Sequence, residues 1–354
     1  MTPIRILIDT FADEGETNAQ MSNAREIIVR LNAERFHVTT FKTGKLDSRI
    51  EARPNTKVVS LPIRRQTVPI LRQSLFGDHD LLFYPKASPA MKWYMKMKTV
   101  RGRRGLVVGT VESQMNLRDE LTVNSQTVRL IEQTVLRADY LFSNANSVAQ
   151  SLHSHYGRLS EVIPTGVDTM FFTPTDQTPR NVRPRVLFVG SLRPFKGPHL
   201  LIDAAERFPQ ADFVIVGEGT MASELKARSN KKANVTITGA LSMSAVRDEY
   251  RASDVFLFPS RWEGSPKVIM EASACALPVI SFRDYEPETV VDGNTGYLVS
   301  STDELFSRLE TLILDREMRR RMGQSARAHV AKFDWNVVTR QWEDVFLRLV
   351  TQSQ

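Results

Sequence analysis

Short runs of Val, Ile and Leu recur along this chain, continuous instead of alternating with polar residues, and most are followed by a segment of helical length. Residues 4–9, 38–41, 57–61, 81–84, 106–110, 140–143 and 161–163 form a first series. A second covers residues 185–189, 211–216, 235–238, 255–258, 278–281 and 296–299. A strand buried on one face alternates, whereas one that is apolar throughout is covered on both faces, as in a parallel sheet between helices. Segments such as 23–32 and 125–137 supply the covering helices. Between the two series, residues 164–185 are rich in Pro, Thr and Asn without periodicity, which reads as a linker. At 354 residues the chain is also longer than one core comfortably serves. The expected fold is therefore α/β, with two doubly wound Rossmann-like domains over residues 1–165 and 166–333. Ligands of such sheets lie beyond the carboxyl ends of the strands, so a cleft across which the domains face each other is the expected site.

The polar signals gather at strand ends of the second series. The stretch from Trp262 to Val279 reads WEGSPKVIMEASACALPV. Ser265 is a suitable N-cap and Pro266 a suitable first helical residue, so a helix is predicted to start at Pro266. Its free N–H groups and dipole suit a phosphate. Glu263 just before it and Glu271 inside it are pure acceptors that pair with sugar hydroxyls. A nucleotide sugar fits that combination; the competing reading is a solvated Lys267–Glu271 ion pair at i,i+4. GSLRPFKG, from Gly190 to Gly197, places Arg193 and Lys196 on a strand-to-helix loop, where two cations can clamp a diphosphate. Gly217, Gly219 and Ala222 formally match a dinucleotide fingerprint, but the next strand ends at Gly239 without the acid that would hold a ribose of NAD. A tight turn is the better account of those glycines.

Charge is distributed unevenly. Of the net +7, residues 1–170 hold 23 Lys and Arg against 17 Asp and Glu, and the remainder 24 against 23. From Lys86 to Arg104 there are seven basic residues and no acid, interleaved with Met91, Trp93, Tyr94, Met95 and Met97. That pattern suits an anionic membrane surface, or else a solvated helix with one apolar side. No nucleic-acid motif accompanies it. The single cysteine, Cys275, rules out a disulfide framework. With no leader pattern and no long apolar span, the expectation is a cytoplasmic protein, peripheral at most to the inner face of the membrane. Asp78-His79-Asp80 precedes a strand instead of ending one, and reads as loop acids, not as a metal site.

These segments, in this order, resemble the retaining glycosyltransferases of family four, whose two-domain fold is called GT-B. The resemblance rests on IPTGVD at 163–168, FVGSLRPFKG at 188–197, VIVGEG at 214–219, VTITG at 235–239, SDVFLFPSRWEGSPKVIMEASACALPVI at 253–280 and GNTGYLV at 293–299. It implies transfer of a sugar from a UDP- or GDP-sugar, with retention and without metal or other cofactor, to a hydroxyl of a glycan or lipid-linked acceptor. Arg193 and Lys196 would then meet the diphosphate, Glu263 the transferred sugar and Glu271 the ribose. Gly190, Gly217, Gly219, Gly239, Gly264, Ser265, Pro266 and Lys267 would shape the donor site. On the acceptor side, relatives often carry a glycine pair after the first strand and a histidine after the fifth. Here Gly15 stands alone among acids, and GTVESQ offers Glu112 in place of the histidine. The final amphipathic segment, residues 334–354, is expected to return to the first domain. A non-catalytic nucleotide-sugar binder and an epimerase of the same architecture are the alternatives.

Overall fold

The computed structural model describes residues 2–14, 19–101, 105–114, 125–175, 182–230 and 232–352. It divides into two compact units, one formed by residues 1–165 with 335–354 and the other by residues 166–334.

The first unit contains a parallel sheet of β1 (Ile4–Phe11), β2 (Phe36–Lys42), β3 (Thr56–Ser60), β4 (Leu81–Phe83), β5 (Leu106–Val111), β6 (Tyr140–Ser143) and β7 (Glu161–Val162). The strands lie in the order β3-β2-β1-β4-β5-β6-β7, so the order reverses between β1 and β4. On one face, Met91, Tyr94, Leu136 and Val148 form an apolar cluster with Leu7 and Leu82. The other face is covered by helix Ala19–Arg30 and the closing helix Trp335–Gln352. That closing helix buries Trp335, Val338, Trp342, Val345, Phe346 and Leu349, the apolar stripe of a 3.6-residue repeat. Trp342 meets Phe83 and Phe142 at ring-centroid distances of 4.7 and 4.9 Å.

The second unit contains β8 (Arg185–Val189), β9 (Asp212–Val216), β10 (Val235–Gly239), β11 (Val255–Phe258), β12 (Val279–Phe282) and β13 (Gly296–Val299), again all parallel. Their order is β10-β9-β8-β11-β12-β13, reversing between β8 and β11. Every residue of β11 and β12 is buried, which is why these strands show no alternation. Local signals fix the helix starts. Ser301 accepts from the Glu304 N–H at 3.1 Å before helix Thr302–Leu314, and Asp315 from the Met318 N–H at 2.8 Å before helix Arg316–Val330. Asp334 stays with this unit because its Oδ2 accepts from the N–H and hydroxyl of Thr169, at 3.2 and 2.5 Å.

The described part of the basic stretch does not form one surface; residues 102–104 lie outside the described residues. Helix Pro89–Arg101 turns Ala90, Met91, Tyr94 and Met95 into the core, while Lys98 pairs with Asp139. Lys86 lies 3.8 Å from the centroid of the Phe11 ring. Trp93, half exposed, remains outside with Lys92 and Lys96. Among the described residues no helix is long and apolar enough to cross a membrane.

Candidate active site

The order reversal between β8 and β11 brings together two loops distant in sequence. Residues 190–197 follow β8 and residues 259–263 follow β11. The Arg261 N–H donates to the Phe195 carbonyl at 3.3 Å, and the Ser260 hydroxyl reaches the same carbonyl at 3.5 Å. Their side chains then meet. The Lys196 ammonium pairs with the Glu263 carboxylate, whose Oε1 also accepts from the Ser260 hydroxyl at 2.6 Å. The same ammonium lies 5.4 Å from the centroids of both the Phe195 and Phe258 rings. Lys196 and Glu263 side chains are only 18% and 12% exposed, so neither charge has ready access to water and each needs a partner.

The loop after β9 packs against the first of these. Gly217 and Gly219 have φ of 139° and 157°, and a Cβ on them would stand 1.9 Å from the Gly190 carbonyl oxygen and 2.5 Å from that of Leu192. Only glycine allows this approach, which is held by Leu192 N–H to the Glu218 carbonyl at 2.8 Å and Gly190 N–H to the Val216 carbonyl at 3.0 Å. The Gly217 N–H in turn donates to the Gly239 carbonyl at 2.9 Å. Gly190, Gly217, Gly219, Gly239, Lys196 and Glu263 thus sit at one carboxyl edge. Arg193 is exposed on the same loop, in extended conformation before the short turn Pro194–Lys196.

One local expectation needs correction. The helix spans Lys267–Ala274, not from Pro266, and Pro266 itself is the N-cap, with φ −70° and ψ 113°. Ser265 therefore makes no N-cap hydrogen bond. Proline's ring sets φ near −65° but leaves ψ free, and the extended ψ here lets the Pro266 carbonyl accept from the Ile269 N–H at 3.2 Å. Gly264, Ser265 and Lys267 are half-buried around this start. Glu271 follows one turn later and accepts from the Tyr250 hydroxyl at 3.0 Å. Burial raises its pKa above the ordinary 4.5, opposed by the Tyr250 hydrogen bond and by Lys267. The rise means that ionised Glu271 costs stability, a cost absent below the unfolded-state pKa and full above the folded one. Glu271→Gln is expected to melt at a higher temperature than the wild type near neutral pH. The gap should close as pH falls towards 4.5, which thermal unfolding across pH will check.

In the first unit Gly15 lies outside the described residues. Glu112, just after β5, accepts from the hydroxyl of Tyr84, a buried residue just after β4 with a left-handed φ of 60°. A water-sized recess of about 10 Å³ here is lined by both, with Asn23, Thr110, Asn144 and Trp342. Asp9, buried at the end of β1, accepts from the Lys86 N–H at 2.9 Å. Asp80 instead binds Arg5, at 2.8 Å from its N–H and 2.6 Å from its guanidinium, at the amino end of the sheet. The residues that sequence reasoning missed are Ser260, Tyr250 and Tyr84. Tyr84 closes the apolar run 81–84 and Ser260 follows the run 255–258, which is the signal that marks them in advance.

Two parallel doubly wound units, each with polar side chains at its point of order reversal, define a GT-B architecture. Solved structures agree over nearly the whole chain. Sucrose-phosphate synthase of Thermosynechococcus elongatus superimposes with a TM-score of 0.78 at 18% identity, covering 99% of this chain and 100% of that one. HepE of Anabaena, solved in complex with UDP-glucose, gives 0.73 at 18%, covering 98% and 100%. The profile of the family described as glycosyl transferases group 1 matches residues 173–329. That match lies within the second unit. It is 32% identical over 264 residues to the D-inositol 3-phosphate glycosyltransferase of Corynebacterium efficiens, covering 66% of this chain and 62% of that protein. The sulfoquinovosyl transferase SQD2 of Arabidopsis thaliana is 32% identical over 164 residues, 44% of this chain and 32% of its own length. The chain spans less than two thirds of the length of these relatives.

Proposed function

We propose that the protein is a retaining glycosyltransferase that moves a sugar from a UDP- or GDP-sugar to a hydroxyl of a glycan or lipid-linked acceptor. The observation that carries this reading is the juxtaposition of Lys196, Glu263 and Ser260 at the order reversal of the second sheet, beside the start of the helix that holds Glu271. Lys196 with Arg193 and the helix N-terminus meets the diphosphate, so that charge on the leaving nucleoside diphosphate is offset without a metal ion. Glu263, released from Lys196 as the diphosphate takes its place, accepts from hydroxyls of the transferred sugar. Glu271 accepts from the ribose. The name of HepE's bound ligand and the glycosyltransferase names of the relatives support the same donor class.

On the acceptor side, Glu112 held by Tyr84 offers a carboxylate to the incoming hydroxyl. The reading is tested by incubating the protein with UDP- and GDP-sugars and a panel of lipid and oligosaccharide acceptors, and measuring nucleoside diphosphate release. Acceptor-dependent release is expected, and Glu112→Gln should lower it while leaving nucleotide affinity unchanged. Donor binding without turnover on any acceptor would instead describe a binding protein.

We further infer that Trp93, Lys92 and Lys96 touch an anionic membrane surface, since the aromatic ring and two cations project together from helix Pro89–Arg101. Vesicles containing phosphatidylglycerol should retain the wild type and release the Lys92→Glu/Lys96→Glu variant. Equal retention of the two would return this face to ordinary surface.

A further inference from the structure

The amino ends of β11 and β12 are the edge of the second sheet opposite residues 259–263. There a groove of about 560 Å³ opens, apolar around Pro278 and walled by Arg251, Arg316, Arg319, Arg320 and Arg327. Among the described residues Asp254 is its one acidic lining residue, and Oδ2 of that carboxylate accepts from the Arg185 N–H at 2.9 Å.

Three of the five guanidinium groups are fixed by neutral carbonyls. Arg327 donates to the carbonyls of Phe172, Ala274 and Thr169 at 3.0, 2.8 and 2.9 Å. Arg319 donates to Leu312 and Ile313 at 2.5 and 2.9 Å, and Arg251 to Thr173 at 2.8 Å. A carbonyl dipole orients a guanidinium without cancelling its charge. The carboxylate partners at the rim are solvated and weak: Glu317 for Arg320 at 3.0 Å and Asp248 for Arg251 at 3.6 Å. Arg316, exposed at the start of helix Arg316–Val330, makes no ion pair among the described residues. Burial lowers the pKa of Arg319; Asp254 and Asp315 oppose that shift and the neighbouring Arg316 adds to it.

Guanidinium groups held in fixed orientations match the geometry of phosphate oxygens, and the volume is that of a small-molecule pocket. We propose that this groove is a binding site for a phosphate-bearing ligand whose apolar portion rests near Pro278, separate from the carboxyl-edge site. The inference stands independently of the donor reading, because it uses none of the same residues.

Calorimetric titration with inorganic pyrophosphate tests it in an Arg193→Ala/Lys196→Ala background, which removes both cations of the carboxyl-edge loop. That protein should still bind pyrophosphate, more weakly as salt is raised, and Arg316→Ala/Arg320→Ala added to it should weaken binding about tenfold or more. Both arginines are exposed, and an unchanged melting temperature will show that the fold persists. A parallel arm uses phosphatidylcholine vesicles with and without phosphatidylglycerol. Arginine-dependent retention on the anionic vesicles, without binding of free pyrophosphate, would support the site and assign the phosphate to a lipid headgroup. Pyrophosphate affinity unchanged by the two substitutions, or no arginine-dependent binding in either arm, would overturn it.

Discussion

Lys196→Ala is expected to lower kcat/KM for sugar transfer by about 10²–10³-fold, the scale set by losing one preorganised group that meets developing negative charge. Its ammonium is held between two aromatic rings and one carboxylate, in a position fixed before substrate arrives. Reorganisation during the reaction is therefore small. Alanine also leaves Glu263, among the described residues, with the Ser260 hydroxyl as its one hydrogen-bond partner. Lys196→Arg should recover part of the rate, because the charge returns with a different shape. Steady-state kinetics with the donor found in the panel, alongside thermal unfolding, separates this from misfolding. A loss of rate below tenfold in a folded Lys196→Ala protein would remove Lys196 from the chemistry.

Trp342→Ala should destabilise the first unit by about 3–5 kcal/mol, the cost of truncating a large aromatic in a packed core. The indole is 4% exposed and contacts Phe83, Phe142 and Phe346. The core of the second unit runs from Val167 to Phe333 and does not include it. Denaturant unfolding followed separately in each unit should show the first transition moved and the second unchanged. Equal displacement of both would mean that the closing helix is not a part of the first core alone.

The architecture was readable because its cause is local. A strand covered on both faces must be apolar throughout, so β11 and β12 announce themselves as VFLF and VISF, and the amphipathic stripe of the closing helix is legible in the same way. The candidate site was legible as a set of strand ends but not as a geometry. Nothing in the spacing of Lys196 and Glu263 shows that they pair, because that follows from β8 lying beside β11 in the sheet. The start of the helix at Lys267 escaped for a different reason: proline fits both the first helical position and the N-cap, and ψ decides between them. Composition alone did not divide the basic stretch into faces; helical spacing does, turning Met91, Tyr94 and Met95 inward. Arg319 and Arg320 border a groove assembled from four separate segments, which no local pattern reveals.

The central claim is that the carboxyl edge of the second sheet binds a nucleoside diphosphate through Lys196 and Glu271. Calorimetric titration of UDP and of GDP into the wild type and Glu271→Gln tests it most directly. The account predicts that one of the two nucleotides binds the wild-type chain. It also predicts that the substitution weakens that binding by about 1–3 kcal/mol, the usual cost of losing a charged hydrogen-bond partner. Binding of neither nucleotide, or equal affinity in the two proteins, would contradict it.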